Sequence, residues 1–167
     1  PQPKKLLVES TLFLPERETI LVFGGADPYS PYGDPTNSGD HIFRYLPDSN
    51  VWEHVGTMPE PRTHHGVAFL KGRIYLAGGT DPRDDDLRGK SRVVDTVWSF
   101  DPAHRCWFSE TSLGMRRRNF GLVVIHQNMY VIGGCNDQLL SLATVERFDA
   151  KHGVWRFVAP MNFARAG

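Results

Sequence analysis

The chain has 167 residues, and its nineteen basic side chains balance its nineteen acidic ones, so bulk charge points to neither nucleic acid nor a membrane surface as partner. No apolar run approaches the roughly 20 residues that cross a bilayer, and the start PQPKKLL lacks the apolar core of a secretory signal. Two cysteines, Cys106 and Cys135, make a poor disulfide framework and show no metal-type spacing, which points to a reducing, cytoplasmic setting.

Short apolar runs bounded by Gly, Pro, Asp and Asn favour strands over helices throughout. The first strands are expected at residues 10–14, 19–24, 41–45 and 51–54, and no convincing helix is found anywhere. A second group follows at 66–70, 73–78, 96–100 and 106–109, and a third at 121–126, 129–133, 144–148 and 154–158. Four strands per group is the strand count of a propeller blade.

The groups repeat. Gly-Gly pairs at Gly24-Gly25, Gly78-Gly79 and Gly133-Gly134 are separated by 54 and 55 residues, the length of one supersecondary unit. Tyr45, Phe100 and Phe148 are each followed seven residues later by Trp52, Trp107 and Trp155, and each tryptophan ten residues later by Arg62, Arg117 and Arg165. Recurrence at fixed spacing assigns these arginines a structural task, such as bonding carbonyls or packing on an aromatic. The paired glycines suit a crowded turn where no side chain fits, and each tryptophan supplies a flat surface for packing between blades.

These marks resemble kelch repeats: an apolar strand ending in Gly-Gly, a Tyr-Asp-Pro-like turn such as Phe100-Asp101-Pro102, a tryptophan, and an arginine before the next strand. Leu46-Pro47 in the first unit departs from the Asp-Pro pattern, and Trp98 stands where kelch strands often carry a charged residue. The resemblance implies an all-β fold, a segment of about three four-stranded antiparallel blades (10–60, 61–115 and 116–160) of a ring of about five to seven blades. Residues 161–167 would lead into a further blade, and the remainder of the ring would come from the same or another chain. The nearest likeness is to the kelch domains of BTB-kelch proteins, through RTHHGVAFLKGRIYLAGG and RRNFGLVVIHQNMYVIGG, which implies substrate recruitment to a cullin-type ubiquitin ligase. Scruin-like kelch proteins, which bind or cross-link actin, imply a cytoskeletal alternative.

By the same resemblance, Thr63, His64, Arg118 and Asn119 are corresponding positions in two units where kelch proteins place partner-contacting residues. Two long connections, 26–40 and 80–95, add Tyr29, Tyr32 and Arg88 as candidate contacts, because loops on a rigid scaffold commonly carry binding specificity. The run Arg116, Arg117, Arg118 is the strongest local basic patch, to be read first as a solvated loop and second as a surface for an acidic partner. No cofactor and no metal site is expected: His64 and His65 on an extended segment would point to opposite faces. Galactose oxidase shares the kelch fold, but no residue set maps onto its copper site, and a non-enzymatic binding module is expected.

Overall fold

The computed structural model describes residues 7–10, 19–30, 34, 37–84 and 92–167. Its strands are β1 (Leu7–Glu9), β2 (Ile20–Phe23), β3 (His41–Leu46), β4 (Val51–Thr57), β5 (Gly66–Leu70), β6 (Arg73–Ala77), β7 (Thr80–Asp81), β8 (Arg92–Val93), β9 (Val97–Asp101), β10 (Cys106–Glu110), β11 (Gly121–Ile125), β12 (Asn128–Ile132), β13 (Val145–Asp149) and β14 (Val154–Val158). Among the described residues there is no α-helix, only a 3-10 turn at Pro82–Asp84. The third blade is a four-stranded antiparallel meander, β11-β12-β13-β14. The second repeats it as β5-β6-β9-β10. The first shows β2-β3-β4, and the strand expected at 10–14 lies outside the described residues apart from Ser10.

Two features depart from the expected meander. Strand β1 pairs with β10, Val8 opposite Trp107, so the outermost strand of the second blade is covered rather than exposed. Its pairing is non-local, and three residues carry no periodic signal that would announce it. The connection 80–95, expected as a loop, is a paired ribbon at its base, where β7 meets β8 and Thr80 and Asp81 are buried.

Blade turns follow local chemistry. The Asp101 carboxylate accepts the backbone N–H of Ala103 and His104 at 3.0 and 3.3 Å, and Asp149 does the same for Lys151 and His152 at 3.1 and 3.3 Å, as turn-initiating aspartates do. In the first blade, where Leu46-Pro47 replaces Asp-Pro, the Tyr45 hydroxyl donates instead to Asn50 at 2.8 Å.

Each tryptophan lies directly opposite its aromatic partner in register, Tyr45 with Trp52, Phe100 with Trp107, Phe148 with Trp155, with ring centroids 5.0 to 5.1 Å apart. In the second and third blades this face looks toward the blade before it. Phe100 and Trp107 therefore join Phe23, Ile42 and Met58 in the core between the first two blades. Phe148, with Trp155 packed beside it, joins Leu70, Tyr75, Val97 and Leu113 between the second and third. Trp52 was expected between blades too, but it is 56% exposed, because no described strand covers the first blade's outer face.

Candidate functional site

The recurrent arginines hold each blade to the lead-in of the next, and the Gly-Gly pairs make room for them. Gly25, Gly79 and Gly134 each donate a backbone N–H to the carbonyl of Arg62, Arg117 and Arg165, all at 2.8 Å. A Cβ on Gly78 would stand 2.8 Å from the Arg117 carbonyl oxygen and one on Gly133 2.6 Å from that of Arg165, and both glycines have positive φ. Glycine is required here twice over, by backbone conformation and by close approach.

The guanidinium groups then reach into the blade they precede. Arg117, fully buried, donates to the carbonyls of Gly133 and Thr144 at 2.7 and 3.1 Å, to the Thr144 hydroxyl at 3.0 Å and to Glu146 at 2.8 Å. Burial lowers its pKa while Glu146 opposes that shift. Arg62 bonds the Thr96 hydroxyl and Glu60, and its charge also lies 3.8 Å from Asp81. Burial pushes the Glu60 carboxyl up, but the Trp98 indole N–H at 3.0 Å and the Arg62 charge outweigh it and hold the group below its usual range.

Directly after these clamps the chain kinks. His64 and Asn119 both have positive φ, 55° and 52°, so the segment is kinked rather than extended as expected. The rings still diverge: His64 is exposed while His65 is tucked under Gly79, whose Cβ would lie 2.7 Å from that of His65. Burial first, then the charges of Arg62 and His64, lower the His65 pKa to about 4. His65 is thus neutral at physiological pH.

The kinks bring the candidate contacts of two blades together. Asn119 donates its N–H to the His64 carbonyl at 3.1 Å, and Gly167 to that of Asn119 at 3.0 Å, so equivalent positions follow one another from blade to blade. The His64 ring sits 3.1 and 3.3 Å from the hydroxyls of Thr63 and Thr80, which lie 2.9 Å from each other. Arg118 is half-buried, pairs its backbone with Cys135, and forms no ion pair among the described residues. Burial and the Arg118 charge lower the His64 pKa.

The three consecutive arginines do not form one basic patch. Arg116 lies 3.8 Å from Asp95, Arg117 is buried, and the charge of Arg118 acts on His64. Tyr29 stands 95% exposed at the tip of a separate loop, which is closed by Asn37 bonding Asp27 and Ser30. Tyr32 and Arg88 lie outside the described residues. The sequence reading passed over the short loop beside Arg118, where Asn136 accepts the N–H of Gln138 and Leu140 at 3.0 Å and Leu139 and Leu140 are 59% and 62% exposed. A leucine pair inside the polar run NDQLLS was the available signal.

Cys106 and Cys135 are both buried and form no disulfide. No helix among the described residues is long and apolar enough to cross a membrane.

The family model described as the KLHDC2/KLHL20/DRC7 Kelch-repeats domain matches residues 3–166. The chain belongs to the kelch-repeat family. Beta-scruin of Limulus polyphemus is 32% identical over 150 residues, 89% of the kelch chain and 16% of that protein. Kelch-like protein 36 of Mus musculus is 33% identical over 116 residues, 69% of the chain and 18% of its own length, and Kelch-like protein 9 of Mus musculus 36% over 95 residues, 57% and 15%. The kelch chain thus spans less than a fifth of these relatives. The solved structure of YjhT superposes with a TM-score of 0.68 at 15% identity, covering 95% of this chain and 53% of that one. With it, the all-β stack of antiparallel blades stands as a segment of a kelch propeller.

Proposed function

We propose that this kelch segment is a non-enzymatic module that binds a protein partner through the loop end carrying Thr63, His64, Arg118 and Asn119, and that the partner offers an acidic side chain there. The observation that carries the reading is Arg118: a half-buried cation whose charge acts on His64, itself in contact with the hydroxyls of Thr63 and Thr80, and with no ion pair among the described residues. A carboxylate would complete this set with charge-assisted hydrogen bonds. Leu139 and Leu140 supply exposed apolar surface on the loop that follows the Arg118–Cys135 bridge, a complement to the polar cluster of the kind that interface centres favour.

Within that reading, the likeness to BTB-kelch domains favours substrate recognition for a cullin-type ubiquitin ligase, with actin-filament binding of the scruin-like kind as the second reading. The dispersal of the arginine run weakens the second, since a filament surface would be met by one arginine rather than three. Replacing Tyr29, Tyr32, His64 and Arg118 together by alanine is expected to abolish quantitative capture of the partner while leaving thermal unfolding unchanged. Unaltered capture would sink the assignment of this loop end. Co-sedimentation with actin filaments at two salt concentrations separates the two readings, because electrostatic binding weakens with salt.

A further inference from the structure

The short loop between β12 and β13 carries two leucines that the blade itself does not bury. Residues 136–140 close on themselves as a small lobe: the Asn136 side-chain carbonyl accepts the N–H of Gln138 and of Leu140, the Asn136 N–H donates to the Leu140 carbonyl at 3.1 Å, and the Leu139 N–H to the Asn136 carbonyl at 3.1 Å. Its base is fixed on both sides, since Cys135 is bridged to Ser141 and to Arg118. The lobe is thus held by its backbone while Leu139 and Leu140 stay 59% and 62% exposed.

A single exposed leucine needs no explanation, but this pair differs in two ways. Leu139 has a φ of 64°, a left-handed conformation that is strained for a bulky side chain and free for glycine. Strain kept where glycine would remove it points to a use for the side chain. Leu140 occupies a position that is exposed in the repeat as such. In the second blade Thr80 pairs with Val93 and Asp81 with Arg92, as Cys135 does with Ser141 and Asn136 with Leu140, and Val94 donates to the Gly79 carbonyl as Leu142 does to that of Gly134. Arg92 is therefore the counterpart of Leu140, and it is exposed although the third blade follows it. The leucine is a feature of this loop, not of the repeat. At the foot of the lobe stands Arg118, whose Nε is sealed from solvent without a hydrogen-bond partner and which forms no ion pair among the described residues.

Resting on the reading that Thr63, His64, Arg118 and Asn119 meet a protein partner, we propose that the Leu139–Leu140 lobe is the apolar anchor of that contact, and that the partner is a folded surface with an apolar pocket and a carboxylate on the pocket's rim. A rigid protruding pair fits a concave receptor, and apolar anchors seated in pockets are where interfaces concentrate their energy. The rim carboxylate meets Arg118 at the lobe's foot through charge-assisted hydrogen bonds. Because the lobe is locked before contact, no ordering of the loop opposes binding.

Site-specific photo-crosslinking in cells tests this, with p-benzoylphenylalanine in place of His64, Leu140 or Lys151, the last in the turn at the far end of β13. Positions 64 and 140 should capture the same protein and position 151 should not, and mass spectrometry should place the peptide joined to position 140 in an apolar pocket with an Asp or Glu beside it. Against that protein in purified form, Leu139→Gly/Leu140→Ser should weaken binding by about tenfold or more. Arg118→Glu should lose binding and regain it when the rim acid is changed to lysine. Leu139→Gly alone, which relieves the left-handed leucine, should leave the thermal unfolding temperature unchanged or raised, whereas a leucine kept for the fold would lower it. Capture from position 64 without position 140, undiminished binding by the double variant, or a joined peptide from an extended, unstructured segment would overturn the anchor and leave the reading of the loop end standing. Capture from neither position would overturn both.

Discussion

The clamps at the second and third blades do one job with acids drawn from opposite sides. Arg117 finds its carboxylate, Glu146, on the blade it enters, and both groups are sealed from water. Arg62 finds Glu60 two residues before itself, and Trp98, standing where the third blade has Glu146, donates its indole N–H to that same carboxylate. The exchange explains why the second blade can carry a tryptophan at a position that the third needs charged. In both clamps the arginine is neutralised, but by acids from different places in the chain.

Removing the acids tests that difference most severely. Glu146→Gln leaves Arg117 buried without its counter-charge and should cost about 3–5 kcal/mol in chemical denaturation. Glu60→Gln leaves Arg62 its Asp81 and Trp98 its acceptor and should cost about 1 kcal/mol. Equal losses would mean that the two clamps are not the alternatives described.

The aromatic faces extend the comparison. Trp107→Ala opens a cavity between blades and should cost about 3–5 kcal/mol, whereas Trp52→Ala on the exposed face should cost under about 1 kcal/mol. A loss below 1 kcal/mol at Trp107 would contradict its burial between blades.

A third contrast separates His65 from His64. The unfolded His65 imidazole takes up a proton near 6.5 and the folded one only near about 4, so stability is complete above pH 6.5 and declines as pH falls toward 4. The loss should reach up to about 3 kcal/mol. Unfolding measured across that window should flatten markedly in His65→Asn and little in His64→Asn, and an unchanged slope in His65→Asn would remove the buried imidazole as its source.

Much of this fold is legible in the sequence because the repeat is written in residues that have no substitutes. Gly78 and Gly133 recur because a Cβ would collide with a backbone carbonyl, and Arg62 and Arg117 because a shorter cation would miss the Thr96 hydroxyl or the Gly133 carbonyl. Strands such as Gly66–Leu70 and Val154–Val158 fall where their apolar runs place them. What escaped is set by partners distant in sequence: the β1–β10 pairing, the acid opposite each arginine, and the fate of three adjacent arginines that face three environments. The candidate site was half legible. Thr63, His64, Arg118 and Asn119 do meet, but through kinks at His64 and Asn119 that an extended reading missed, and Thr80, Leu139 and Leu140 join only once the bridges to Thr63 and Arg118 are known.

The proposed division is that recurring positions build the blades while the varying positions beside them are left to a partner, and two neighbours in sequence test it most directly. Thermal unfolding of Arg117→Ala and Arg118→Ala, measured side by side, should show a fall of about 10 °C for the first and about 1 °C or less for the second. Comparable falls in both, or a larger one for Arg118→Ala, would contradict the division of labour between these positions.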